Sequence, residues 1–200
     1  VTGVQTCALP IWDRERFLSL ADNPITVAYA VPEQNTIVLD YSTSASRPFS
    51  LETTLMHEFC HLLLHDKLSD IPRWLDEGLC QWASGGLDEI IYSQDQARSA
   101  LNRAALSDGL ILFEELESGF PYEEGARLLA YEQSRNFVTF LARRFGPERL
   151  RAVLGIMKEG ETFESASLRI YGISFDRLEK EWMESVRAEW TWLAFLGNHI

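Results

Sequence analysis

The sequence predicts an α+β fold, a small β-sheet lobe that carries two packed helices, followed by a helical lobe. Three observations predict it. Two β-rich runs, ITVAYAV at 25–31 and NTIVLDYS at 35–42, are separated by the short polar turn PEQ. A run with three histidines and one glutamate, LMHEFCHLLLHDK at 55–67, follows with helical character. From about residue 94 onward the pattern is almost entirely that of amphipathic helices.

Taken in order, the first eleven residues, VTGVQTCALPI, have neither the basic start nor the small-residue cleavage site of an export signal, and suggest no folded element. They resemble the translation of a common sequencing-library adapter. The expectation is therefore a non-native segment at 1–11 and a single domain at 12–200, a metagenomic fragment without an initiating Met. Within it, the metal-binding α/β lobe should cover about 24–92 and the helical lobe about 93–195. Localisation is left open. With Cys7 set aside, Cys60 and Cys80 remain, too few for a disulfide framework.

After the polar turn STSASRP, Ser50 is placed to cap a helix whose first turn holds Glu52, favourable at the positive helix end. That helix should run to about Asp66. Pro72 then suits a first helical turn, and a second helix should cover RWLDEGLCQWA up to Gly85. Further on, Tyr131, Ser134, Val138, Leu141 and Phe145 form one stripe, Gly146 ends that helix and Pro147 starts the next. GETFESASLRIYG and SFDRLEKEWMESVRAEW predict two more helices.

Composition excludes some functions. A formal net charge of −12 repels phosphate backbones and anionic lipid heads, so no nucleic acid or membrane-surface partner is expected. No apolar run reaches the ~18 residues of a membrane span. Oligomeric state is not legible.

The chemistry sits in HEFCH. On a helix, His57 and His61 are rotated by about 40° and separated by about 6 Å of rise, so both imidazoles converge on one cation. Glu58 is turned by about 100°, too far round to bind the metal but near enough to take a proton from its water. His65 is the obvious third ligand, and geometry argues against it: it lies about 12 Å further along the helix than His57, beyond the reach of one Zn²⁺. As a helix-terminal residue it suits the dipole. The metzincin extension fails too, with Leu64 where Gly is needed and Lys67 where the third His is needed. The third ligand must come from another segment, and PRWLDEGLCQW offers Glu77, sixteen residues after His61.

At this point the chain resembles the gluzincin zinc peptidases, in which H-E-x-x-H is followed by a helix bearing W-L-x-E-G. HEFCH and WLDEGL match both parts in order. With AYEQSRNFVTFLARRFGPERLRAVL and GETFESASLRIYGISFDRLEKEW, the likeness to minimal bacterial gluzincin domains, the peptidase MA-like group, covers about 24–187. The resemblance implies a thermolysin-like catalytic domain, with one Zn²⁺ held by His57, His61 and Glu77. It implies Glu58 as general base toward a metal-activated water, a peptide or protein substrate, and an edge strand that pairs with it, for which TIVLD at 36–40 is the candidate. It also implies a donor to the oxyanion, and Tyr131 stands where aminopeptidase-like gluzincins carry their transition-state tyrosine. The alternatives are that Tyr131 packs with its hydroxyl hydrogen-bonded and that Arg135 serves instead. No Gly-x-Met-x-Asn amine-anchoring motif is visible, which favours an endopeptidase.

The neighbours are read as follows. Gln81 could accept from a ligand histidine, where some gluzincins carry an Asp. Asp76 reads as a solvated first-turn acid. Cys60 and Cys80 read as small apolar fillers, with a Cys60 thiolate ligand as the alternative. Trp74 and Trp82 should seat their helix on the core. Two rival readings remain: a catalytically inactive, zinc-binding gluzincin-like module that binds a protein partner, and a helical scaffold with fortuitous histidines.

Overall fold

A computed structural model describes residues 6–21, 26–44, 51–85 and 94–197, with side chains for all of these except 44, 94–96 and 190–197. The chain divides into two compact units, 1–67 with 79–94, and 68–78 with 95–200.

The first unit holds a three-stranded sheet in the order β1-β3-β2, with β1 at Cys7–Ile11, β2 at Ala28–Val31 and β3 at Thr36–Asp40. β2 and β3 are antiparallel, Ala28 opposite Leu39 and Val31 opposite Thr36. Between them Pro32–Gln34 make one 3-10 turn, closed by Asn35 at φ 47, a left-handed conformation that Asn tolerates. All five residues of β3 are buried, so its run of β-branched and apolar side chains reads continuously instead of alternating.

Two expectations are corrected here. Residues 7–11 are not without structure: β1 pairs in parallel with β3 from Cys7–Thr36 to Ile11–Asp40. Its side chains are largely exposed, so no hydrophobic alternation marks it, and Pro10 is tolerable because the strand lies at the sheet edge. For the same reason TIVLD is the central strand and not an edge; both its sides already carry ladders, which removes it as the strand that pairs with substrate.

Short α1, Arg14–Leu18, is capped by Asp13, whose carboxylate accepts from the Glu15 and Arg16 amides. Arg14 reaches across to the Thr26 carbonyl at 2.8 Å and to Asp40 at 2.7 Å. Burial by itself would raise the Asp40 carboxyl, but hydrogen bonds from Ser42, Thr43 and Arg14 outweigh it and hold the group below the ordinary carboxylate range. After α2, Tyr41–Ser44, comes α3, Leu51–Lys67, which packs on β2 and β3. Its expected cap, Ser50, lies outside the described residues.

α4 spans Arg73–Ser84 and ends before Gly85, which takes φ 85. The second unit contains its first half with α5 (Gln94–Leu106), α6 (Glu124–Phe145), α7 (Pro147–Met157), α8 (Phe163–Tyr171) and α9 (Phe175–Gly197). The punctuation predicted at Gly146 and Pro147 is present: Gly146 at φ 86 closes α6 and Pro147 opens α7. Thr162 caps α8 and Gly172 at φ 72 ends it. The core of this unit is aromatic, with Trp74 at 4.8 Å from Phe113, 5.0 Å from Phe163, 5.4 Å from Phe137 and 5.6 Å from Phe175, centroid to centroid. Trp74 therefore seats α4 as expected. Trp82 does not, being 39% exposed. Among the described residues no helix is long and apolar enough to cross a membrane.

Candidate metal centre

α3 is amphipathic in the wrong sense. Its buried stripe is Thr54, His57, Glu58, His61 and Leu62, at the i, i+3, i+4, i+7, i+8 spacing where core helices carry apolar side chains. Met56, Phe59 and Leu63 are exposed. Burying polar groups costs free energy unless each finds a partner, so a stripe of two histidines and a carboxylate is sustained by what those groups bind.

The two ring Nε2 atoms of His57 and His61 lie 3.0 Å apart, both residues buried. Two nitrogens on one tetrahedral zinc, each ~2.0–2.1 Å from it, stand about 3.3 Å apart. The pair is thus preset to ligand spacing by the four-residue step of the helix. The other nitrogen of His61, Nδ1, lies 3.4 Å from Cys80 Sγ. Zinc-ligating histidines are oriented through their second nitrogen, and here the thiol occupies that place. Cys80 is therefore more than filler, and Gln81, expected in this role, is fully buried with no hydrogen bond from its amide among the described residues.

Residues 74–81 of α4 are buried without interruption. This corrects the reading of Asp76, which is 2% exposed: the helix has no solvated face at that point. Glu77 is equally buried, and Gly78 brings α4 close to α6, where a Cβ would stand 2.6 Å from the Ser134 carbonyl oxygen. His57, His61 and Glu77, and likewise His61, Asp76 and Cys80, are sets of side chains that could hold a metal ion. The donor chemistry of the first set, two imidazoles and a carboxylate, suits zinc. His65 is exposed in the last turn of α3 and belongs to neither set, and Cys60 also stands outside both. Glu58 is 3% exposed.

Arg73 was not singled out by sequence reasoning. Its guanidinium pairs with Glu77 Oε1 at 2.5 Å and lies 3.7 Å from Asp76 Oδ2. The charge of Glu77 first, with that of Asp76 adding to it, pushes the Arg73 pKa above its ordinary value, although the side chain is 43% exposed. Tyr131 itself is 5% exposed, on α6, with its ring edge-on to Phe120 at 4.9 Å. The alternative in which Tyr131 packs fits this burial and ring contact. Arg135 forms a bidentate pair with Glu132, at 2.9 and 2.6 Å, and is committed there. A cavity of about 500 Å³ in the second unit, floored by Trp74, Phe163 and Phe175, includes none of His57, Glu58, His61, Glu77 or Tyr131 in its lining.

No match was found among curated proteins or among solved structures. A family model described as the Peptidase MA superfamily matches residues 20–188, which takes in both helices of the motif and the described helices from α2 through most of α9. The chain belongs to the Peptidase MA superfamily.

Proposed function

We propose that the chain is a zinc-dependent peptidase of the gluzincin type, with His57, His61 and Glu77 as the protein ligands and Glu58 as the general base. The observation that carries the reading is the buried Nε2 pair at 3.0 Å on α3, followed in the chain by the buried Glu77 carboxylate on α4. Membership of a superfamily that is usually zinc-dependent supports it.

Zinc, when bound, lowers the pKa of water and polarises a carbonyl at its open position. The residues do the rest. Glu58, one residue after the first ligand and 3% exposed, accepts a proton from the attacking water and delivers it to the leaving amine. A buried carboxylate serves well here, because its environment keeps bulk water from competing for that proton. Tyr131 donates its hydroxyl proton to the oxyanion that develops on the scissile carbonyl. The substrate is a peptide or protein, and an endopeptidase is favoured.

The test is Glu58→Gln. It removes the base, keeps the shape, and leaves all three ligands. Metal content should stay at the wild-type level while chelator-sensitive cleavage of a peptide library falls by at least ~10²-fold. Unchanged turnover would remove Glu58 from the mechanism.

A further inference from the structure

We infer that Arg73 is the positioning residue of this site, holding the Glu77 carboxylate in place with its guanidinium; the inference rests on the metallopeptidase reading above.

The first argument is one of cost. Arg73 is the first residue of α4, where the positive end of the helix disfavours a cation, and the order Arg before Glu at i, i+4 is the less favourable one. Helix stability therefore does not account for an arginine here. The second argument is connectivity. One side chain meets Glu77 at 2.5 Å and Asp76 at 3.7 Å, and both of those residues are buried. The third is anchorage. The Arg73 amide donates to the Glu117 carbonyl at 2.8 Å, so the residue is fixed at its backbone as well as at its side chain.

The chemistry follows from the donor inventory. A guanidinium presents its N–H donors in a rigid planar fork, so it can hold a carboxylate in a fixed orientation, which a lysine ammonium does less well. With Oε1 carrying the arginine, Glu77 would keep a fixed carboxylate plane and offer its other oxygen to a metal. Arg73 thereby positions the carboxylate of the proposed third ligand.

The test uses the full chain loaded with zinc, as wild type, Arg73→Gln and Arg73→Lys. Zinc affinity is measured by competition with a chromophoric chelator, and geometry by the visible spectrum of the Co²⁺-substituted protein. Arg73→Gln should weaken zinc binding by about 10- to 100-fold and shift the Co²⁺ bands, with Arg73→Lys recovering part of both. A role in folding alone would lower the melting temperature of the metal-free chain without moving the Co²⁺ spectrum. Arg73→Gln with wild-type or tighter zinc affinity and an unchanged spectrum would overturn the inference and leave the metallopeptidase reading standing. Should Arg73→Gln fail to fold, Arg73→Lys decides alone: a spectrum and affinity identical to wild type overturn the inference. Absence of zinc binding by the wild type would overturn both.

Discussion

Gly78 follows Glu77, the proposed third ligand, immediately, and replacing it with alanine sets two calculable effects against each other. In a helix interior, alanine is favoured over glycine by about 1 kcal/mol. Against this, the new Cβ would stand 2.6 Å from the Ser134 carbonyl oxygen, 2.8 Å from Val138 Cγ2 and 2.9 Å from the Ser134 carbonyl carbon. The Val138 methyl can turn away. The Ser134 carbonyl is backbone in the middle of α6 and cannot, so the helices must part by roughly 0.8 Å (3.4 − 2.6) to restore an ordinary contact. Overpacking costs about 1–3 kcal/mol, and a backbone clash this short belongs at the upper end. The net loss is therefore about 2 kcal/mol, a fall of about 4–8 °C in Tm for a chain of this size. Thermal and urea denaturation followed by far-ultraviolet circular dichroism measure it. A Gly78→Ala protein as stable as wild type, or more so, would refute the account of why glycine follows the ligand.

Other consequences follow from the same physics. Trp74→Ala, at a residue 1% exposed among four aromatic rings, should cost about 3–5 kcal/mol, whereas Trp82→Ala, at 39% exposure, should stay within roughly 0.5 kcal/mol; equal losses in denaturant titrations would contradict the burial argument. Asp40 has its pKa held below the ordinary 3.8, so it stabilises the fold above that value and its contribution disappears as pH falls through the folded-state pKa. Asp40→Asn should therefore lose about 2 kcal/mol near neutrality, and the gap to wild type should close below about pH 4; a gap independent of pH would count against the Arg14 and hydroxyl network as its source.

The helices and their ends were legible because their signals are local. Pro147 after Gly146, Thr162 and Gly172 around α8, and Pro72 ahead of α4 each act through backbone conformation or a single cap, which the sequence displays directly. Rise per residue argues against His65 as a ligand, and the residue is exposed. What escaped depends on pairing across the chain. β1 is held by backbone hydrogen bonds with few buried side chains, so nothing in its composition announces it, and without β1 the central strand β3 looks like an edge. Asp76 looked solvated because helical periodicity assigns an acid to the outside, yet α4 is buried all round from 74 to 81. Cys80 gained its significance from a neighbour that only the folded chain supplies, His61, 19 positions back, and Arg73 from its ion pair with the buried Glu77 carboxylate.

The central claim is that a carboxylate from α4, and not the nearby third histidine of α3, completes the ligand set. Zinc content per chain, measured by atomic absorption on purified wild type, Glu77→Ala and His65→Ala, tests it most directly. The account predicts one zinc per chain in wild type and in His65→Ala, and loss of the metal in Glu77→Ala. Loss in His65→Ala with retention in Glu77→Ala would contradict it.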